Sequence, residues 1–252
     1  NPPIDSLREN KVMSLKTRFG NLGNILNFDN LTKDNIYVLD SPILSNSQLK
    51  KFINYFGKNS YEIDCTFEKS ENLEIALERI QKEAEIEVRK GVKQLILSDK
   101  NISEKRLPIP MLLSVGAINS YLINNKLRGY VSINVQTGEA LDTHSFATLL
   151  GVGATTVNPY LALDCLYQRF EKKLFGNFEY EDCIKRYIKS VNSGLLKIMS
   201  KMGISVLSSY RGGCNFETVG LSRTIVSDYF PVVVSKISGI GLTGIEKKIR
   251  VI

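Results

Sequence analysis

The sequence predicts a single α/β domain built on a mostly parallel sheet with helices on both of its faces. Short, nearly continuous apolar runs such as residues 94–98 alternate with helical patterns, which is typical of strands buried between helices. The chain of 252 residues is long enough for one large domain, and no linker interrupts it. Its composition, 43% hydrophobic and 23% charged, is that of a globular protein.

Apolar periodicity and turn residues define the individual elements. The clearest helix carries an apolar stripe at three- and four-residue intervals, and Gly91 ends it; the stripe consists of Leu73, Leu77, Ile80, Ala84 and Val88. Helices are predicted at residues 5–15, 45–56, 73–88, 110–124, 143–150, 159–170 and 181–202. Strands are predicted at residues 36–39, 61–67, 94–98, 130–135, 154–157 and 204–207, and an irregular connection at residues 20–30.

The charge pattern and hydropathy predict no nucleic-acid partner and no membrane. The net charge is +7, but basic residues are interleaved with acidic ones along the chain. The densest basic cluster, residues 246–250, is short, and neither a helix-turn-helix pattern nor a basic strand with aromatic residues is present. No run approaches the roughly 20 apolar residues that a membrane helix requires.

The cysteines and the first residues predict the cellular setting. Cys65, Cys165, Cys183 and Cys214 are far apart in sequence, and the single histidine leaves few metal ligands. We therefore expect reduced, mostly buried thiols, no metal site and a soluble, intracellular protein. The first residues lack the basic and apolar regions of a signal peptide. Because the chain starts at Asn1 rather than Met, we expect it to be cut from a longer polypeptide.

Polar residues and glycines follow the predicted strands, at residues 98–101, 136–139, 158–159 and 208–213. Ligands bind at the carboxyl ends of parallel strands, although such residues also cap the helices that follow. His144 is a candidate general base, but no nucleophile lies near it in sequence, and we interpret it as structural. Residues 151–154 contain two glycines after a helix and before a strand, so we interpret them as a helix end rather than a phosphate loop.

Arg211, Gly212 and Gly213 have features of an anion site. Two glycines let backbone N–H groups approach an anion, and the arginine could bind it through two hydrogen bonds. The same residues also suit a tight turn held by one arginine, and we predict this structural role, at the carboxyl edge of the sheet. Cys214 has no partner histidine in sequence and is not expected to be a nucleophile. We assign no catalytic residue.

Several segments, taken in order, resemble one known family. The segments are residues 1–9, 12–15, 39–44, 97–100, 108–110, 139–140, 144–147, 158–162, 197–205, 209–212 and 229–241. They are similar to the central domain of the glutamate synthase large subunit, and the match runs nearly from end to end. The resemblance implies one domain over residues 1–252, with residues after about 244 unassigned. It also implies a fold like an incomplete (β/α) barrel without a cofactor.

The resemblance further implies that the parent protein is an enzyme of the cytoplasm or a plastid. An amidotransferase domain would release ammonia from glutamine, and an internal tunnel would carry it to a domain that holds FMN. There it would be joined to 2-oxoglutarate and reduced to glutamate, with a 3Fe-4S cluster supplying electrons. The electron donor would be a small NAD(P)H-oxidising subunit or ferredoxin.

Within that enzyme, this chain would connect the amidotransferase and FMN domains and help to form the tunnel, with Asn1 at the tunnel mouth. It is expected to be inactive alone and to bind neither flavin nor metal. One departure from the family is Val232–Val234, which replaces the usual Gly-Thr turn. Three β-branched residues favour extended backbone, so we expect the C-terminal segment to take a different course.

Two other hypotheses stand beside this one. The first is a free-standing α/β enzyme that binds a phosphate or a flavin near Arg211, Gly212 and Gly213. The second is a basic nucleic-acid-binding module.

Overall fold

The structure is a computed structural model that describes residues 2–20 and 36–251, without the side chain of Asn10. The helices are α1 (Glu9–Val12), α2 (Asn46–Phe56), α3 (Leu73–Arg89), α4 (Met111–Asn124), α5 (Thr143–Val152), α6 (Tyr160–Glu171), α7 (Tyr180–Lys201), α8 (Leu207–Tyr210), α9 (Arg223–Tyr229) and α10 (Leu242–Val251). The strands are β1 (Thr17–Phe19), β2 (Tyr37–Leu39), β3 (Ser60–Asp64), β4 (Thr66–Glu68), β5 (Gln94–Ser98), β6 (Arg106–Pro108), β7 (Ser132–Gln136), β8 (Thr156–Asn158), β9 (Glu217–Leu221) and β10 (Val234–Ile240).

The main sheet has four parallel strands in the order β3, β5, β7, β8. Neighbours in the sheet therefore follow one another in the chain, as in a (β/α) barrel, whereas a doubly wound sheet reverses its strand order. Ile43 also bridges Val157 in parallel, so the chain before α2 extends the sheet beyond β8. The predicted α/β fold with a mostly parallel sheet is confirmed, and the strand order is that of part of a barrel.

The two faces of the main sheet differ chemically. Side chains alternate between faces along a strand. One face presents Leu95, Leu97, Ile133, Val135 and Val157, which share a buried core with α3, α4 and α5. The other face is largely polar and carries Gln94, Ser98, Asn134, Gln136, Thr156 and Asn158. The alternation in the sequence of β7, Ser-Ile-Asn-Val-Gln, produces this division.

The apolar stripe of α3 covers the sheet as the sequence predicts. The first four residues of the stripe have no exposed surface: Leu73, Leu77, Ile80 and Ala84. The side-chain amide oxygen of Asn72 caps the helix by accepting a hydrogen bond from the Ile75 N–H at 2.8 Å. The start of α2 is equally well defined, since Ser45 and Gln48 each accept a hydrogen bond from the other's backbone N–H. These two helices, together with β5, lie where the sequence places them.

Two predicted elements near the amino-terminal half are corrected by the structure. The helix expected over residues 5–15 is only α1, because Ser14 turns away to bridge Val206 in extended conformation. The single strand expected over residues 61–67 is two strands, with the break at Cys65. β3 joins the parallel sheet, while β4 pairs with β6 in a separate antiparallel ribbon.

The strand expected at residues 204–207 is also wrong. Among the described residues, Val206 alone of these four forms a bridge, and its partner is Ser14 rather than a strand of the main sheet. The Leu207 N–H donates to the Ser14 carbonyl at 3.0 Å, and the Arg211 N–H then donates to the Leu207 carbonyl at 2.9 Å. The second bond closes the single turn of the short helix α8, so the chain leaves extended conformation directly after Val206.

The C-terminal segment forms a second, smaller parallel pair. β10 lies beside β9, and α9 and α10 contact both the pair and the main body. Val234, the last of the three valines that depart from the family pattern, starts β10. The Glu246 side chain in α10 accepts from the Leu73 N–H at 2.9 Å, which ties residues after 244 to the start of α3.

Candidate functional site

Two rows of hydrogen-bonded side chains cross the polar face of the main sheet. In the first row, Thr156 Oγ1 donates to Asn134 Oδ1 at 2.7 Å, and Asn134 Nδ2 donates to Gln94 Oε1 at 3.1 Å. All three side chains are buried. Among the described residues, no fully buried side-chain N or O atom of this row lacks a hydrogen-bond partner, so the row is stable as it stands.

The second row runs along the carboxyl ends of the strands. Ser98 Oγ donates to Gln136 Oε1 at 3.0 Å, and Gln136 Nε2 donates to Asn158 Oδ1 at 3.3 Å. Asn158 Nδ2 continues the row to the Leu44 carbonyl at 2.9 Å and to Asn46 Oδ1 at 3.0 Å. Residues from three strands and the start of α2 are thus joined at the edge where ligands of this fold class usually bind.

Asp99 lies at the centre of this edge and is fully buried. Its carboxylate accepts from the Thr137 hydroxyl and from the Gly138 N–H, the latter at 3.1 Å. Burial raises the pKa of the Asp99 carboxyl, while hydrogen bonds from Thr137, Tyr160 and Gly138 lower it, and the net change is upward. The burial cost therefore exceeds the stabilisation by the donors.

Tyr160 closes the edge from the start of α6. Burial raises the pKa of its phenol, and the Asp99 charge raises it further. The Lys100 ammonium lies 5.9 Å from the centre of the Tyr160 ring and is exposed to solvent. The Glu139 carboxylate accepts from the Met111 N–H at 2.9 Å and so caps the start of α4. Tyr160 and Lys100 therefore lie together at the strand ends, and Glu139 caps α4.

The residues at this edge do not fit a flavin phosphate. A phosphate needs backbone N–H groups or cations that face it. Here the Gly138 N–H already donates to Asp99, and a buried carboxylate occupies the position that an anion would need. At this edge the Glu139 carboxylate caps α4, which is the role that the capping interpretation of these loops expects.

The cysteines do not fit a metal or an iron–sulfur cluster either. In the described part of the chain, no three His, Cys, Asp or Glu side chains lie close enough together to hold a metal ion. All four thiols are free: Cys65 and Cys183 are buried, Cys214 is half-buried and Cys165 is exposed. Burial raises the pKa of the Cys65 thiol to about 12, so that thiol is unreactive at neutral pH.

The Arg211 turn lies at the opposite edge of the sheet from the one predicted. The Gly212 N–H donates to the Leu150 carbonyl at 3.2 Å, and the Cys214 N–H donates to the Gly151 carbonyl at 3.1 Å. Both acceptors belong to the end of α5, which precedes the amino end of β8. The prediction of a carboxyl-edge position is wrong, because it depended on a strand at residues 204–207 that does not form.

The backbone of this turn is held by α5 rather than available to an anion. Gly212 has a φ of 70°, which a residue with a Cβ rarely adopts. The carbonyls at the end of a helix lack partners within the helix. The Cys214 N–H supplies a partner for the Gly151 carbonyl, and the Gly212 N–H adds a second donor to the Leu150 carbonyl, which also accepts from the Gly153 N–H at 3.1 Å. The two glycine motifs at residues 151–154 and 211–213 therefore form one contact. Gly153, with a φ of 131°, ends α5 as the sequence predicts.

Two arginines, Arg211 and Arg128, lie near this contact. Arg211 Nη2 donates to Thr17 Oγ1 at 3.2 Å, and within the described residues its Nε–H has no acceptor. Arg128 donates to Asn119 Oδ1 and to the carbonyls of Val131 and Gly153. Burial lowers the pKa of Arg128 to about 10, with a smaller contribution from the charge of Arg211. The acceptor of Arg211 is thus the Thr17 hydroxyl.

The remaining candidates lie apart from these clusters. His144 is exposed in the first turn of α5, and its carbonyl accepts from the Thr148 hydroxyl at 3.0 Å. Asn1 and residues 21–30 of the predicted irregular connection lie outside the described residues. Over the described residues, no helix combines the length and low polarity needed to cross a membrane.

The polar face of the sheet is the feature that sequence reasoning missed. Polar residues alternate with apolar ones in β7 and β8, whereas the prediction of a sheet buried on both sides treats the strands as nearly continuous apolar runs. A period of two in Ser132–Gln136 is the signal that could have identified the face.

Comparison with known families supplies the functional context. Residues 1–222 match the model of the family described as the glutamate synthase central domain. The chain is 52% identical over 252 residues to the large chain of NADPH glutamate synthase from Azospirillum brasilense, and 41% identical to that of Bacillus subtilis. It is 38% identical over 263 residues to the chloroplastic ferredoxin-dependent glutamate synthase of Spinacia oleracea.

The chain spans about a sixth of the length of these relatives. The alignments cover 99%, 98% and 98% of this chain, but only 17%, 16% and 16% of the relatives in the same order. Among solved structures, the flavin-binding domain of baker's yeast flavocytochrome b2 is similar with a TM-score of 0.42 at 14% identity. That match covers 74% of this chain and 43% of the flavin-binding domain.

Proposed function

Because this chain belongs to the glutamate synthase central domain family, we propose that it is the connecting domain of a glutamate synthase large chain. The observation that carries the proposal is the match over residues 1–222, together with identity to relatives that are about six times longer. The longer polypeptide would make glutamate by reductive transfer of the amide nitrogen of glutamine to 2-oxoglutarate. Its central segment would hold the two reaction sites in a fixed relation.

The proposal divides the work between domains of one polypeptide. An amidotransferase domain would release ammonia, and a second domain would hold FMN, which supplies the hydride, and a 3Fe-4S cluster. This chain would contribute to the tunnel between them, with Asn1 near its mouth. A small NAD(P)H-oxidising subunit or ferredoxin would donate electrons. The residues 1–252 would form one domain of that polypeptide.

The site geometry supports a connecting role for this chain. The strand ends, where barrel enzymes bind their ligands, are joined by Ser98, Gln136 and Asn158 and capped at Asp99. These residues do not fit a flavin, and the cysteines do not fit a cluster, so the chemistry is assigned to other domains. A rigid, fully hydrogen-bonded sheet edge is suited to holding neighbours in place.

The test compares the longer polypeptide with the chain of 252 residues. Flavin and iron are measured per polypeptide, and glutamate formation is measured with glutamine, 2-oxoglutarate and an electron donor. We expect the longer polypeptide to contain both groups and to form glutamate, and the shorter chain to do neither. Stoichiometric flavin in the shorter chain, or no glutamate from a cofactor-replete longer polypeptide, would contradict the proposal.

A further inference from the structure

The β9–β10 pair leaves an apolar face uncovered. Val219 in β9 and Ile237 in β10 are direct partners in the parallel register, so their side chains lie next to each other. Val219 is 69% exposed and Ile237 is 60% exposed. Val234, at the start of β10, is 53% exposed. These three side chains define what we call the β9–β10 face.

A parallel pair with an uncovered face is unusual in an isolated domain. Parallel strands occur almost only where both of their faces are covered. Here α9 and α10 contact the pair, but they leave the β9–β10 face open. Single exposed apolar side chains need no explanation, whereas neighbouring ones on one regular surface mark an interaction site.

The two strands of the β9–β10 pair are in close contact. A Cβ on Gly239 would collide with the backbone of Gly220, so the two strands approach each other as closely as glycine allows. The Ser222 N–H donates to the Ile240 carbonyl at 2.9 Å at the end of the pair. A face whose backbone is fixed before docking loses little conformational entropy on binding.

We propose that the β9–β10 face docks against another domain of the longer polypeptide, one that presents an apolar surface. This inference rests on the proposed function, in that the relatives carry about five sixths of their length outside the matched region. Lys236 and Glu217 form an exposed ion pair of 2.6 Å beside the face. An apolar centre with charged residues at its rim is the usual arrangement of a protein interface.

Photo-crosslinking in the longer polypeptide tests the docking directly. A photoreactive amino acid replaces Val219 or Ile237 in the purified enzyme, and the crosslinked peptides are identified by mass spectrometry. The matched control replaces Ile86, which is 52% exposed in the last turn of α3. We expect positions 219 and 237 to crosslink to peptides outside residues 1–252 of the same molecule, and position 86 to give at most a small fraction of that yield.

Three results would overturn the inference. The first is crosslinks that stay within residues 1–252. The second is a doubling of mass on a denaturing gel, which would indicate a crosslink to a second copy. The third is a crosslinking yield at positions 219 and 237 that is no higher than at position 86. Failure of this proposal is distinct from failure of the proposed function, since glutamate formation by the unmodified polypeptide is measured separately.

A double substitution gives a second measurement. V219E/I237K places opposite charges at paired positions, which preserves pairing of the strands while removing the apolar face. We expect the longer polypeptide carrying it to become more sensitive to limited proteolysis between domains than one carrying I86K. Equal sensitivity of the two variants would contradict docking at this face.

Discussion

The Thr137 hydroxyl donates a hydrogen bond to the buried carboxylate of Asp99, and this contact joins the ends of β5 and β7. The Gly138 N–H donates to the same carboxylate at 3.1 Å. The Asp99 side chain therefore holds the loop after β7 in place. In an enzyme of this fold class, such a loop would face the substrate.

Asp99 makes the stability of the domain depend on pH. Burial raises the pKa of its carboxyl above the ordinary value of 3.8, so the folded chain holds this proton more tightly than the unfolded chain. The resulting stabilisation is complete below that value and is lost as pH rises through the folded-state pKa. We expect the free energy of unfolding of D99N, relative to wild type, to increase as the pH rises above about 4, the ordinary pKa of an aspartate. Urea denaturation at a series of pH values measures it, and a constant difference would contradict the account.

Leu77 tests the packing of α3 on the sheet. Its side chain has no exposed surface, and Leu77→Ala is expected to lower the free energy of unfolding by about 2–5 kcal/mol, as for other buried leucines. Ile86→Ala on the exposed side of the same helix is the control and should change it by no more than about 0.5 kcal/mol. Chemical denaturation of the two variants checks both values. Equal effects would mean that α3 is not packed as described.

Arg211 tests whether the turn beside α5 is structural. Arg211→Lys keeps the charge but loses the planar group that reaches Thr17 Oγ1 at 3.2 Å. We expect a lower melting temperature, with a loss of about 1 kcal/mol, the usual contribution of one hydrogen bond. Glutamine hydrolysis and glutamate formation by the longer polypeptide should stay coupled. An unchanged melting temperature together with free ammonia would instead place Arg211 in the tunnel.

Gly239 tests the close approach of β10 to β9. A methyl group at this position would meet the backbone of Gly220, which cannot move aside as a flexible side chain can. Gly239→Ala is therefore expected to cost about 1–3 kcal/mol through overpacking. Gly129 has open space around its Cβ position and serves as the control, with an expected change of less than about 1 kcal/mol. Thermal unfolding separates the two variants, and equal melting temperatures would argue against the strand contact.

Elements with strong local signals could be predicted from the sequence. The stripe that begins at Leu73 specifies a helix with one buried side, and the Ser45–Gln48 capping box fixes where α2 starts. The run Gln94–Ser98 is buried along its whole length, as a central strand should be. Each of these elements is specified by residues that are close together in the sequence.

Elements decided by distant partners could not be predicted in the same way. Val206 has the β-branched side chain of a strand residue, yet it bridges Ser14 rather than a strand of the main sheet, and α8 follows immediately. That choice depends on a segment nearly two hundred residues away in sequence, which no local pattern reveals. Arg211 lies at the amino edge because its turn is bonded to Leu150 and Gly151 at the end of α5, which is also a contact between segments distant in sequence.

The most direct test of the connecting role follows the amide nitrogen in the longer polypeptide. Glutamine labelled with nitrogen-15 at its amide is supplied together with 2-oxoglutarate, an electron donor and excess unlabelled ammonium. The account predicts that the glutamate made from 2-oxoglutarate carries the label, because ammonia passes between domains that this chain holds together; the glutamate left by hydrolysis of glutamine keeps its own unlabelled amino nitrogen. Unlabelled nitrogen in the glutamate made from 2-oxoglutarate, or labelled ammonia released without that glutamate, would contradict it.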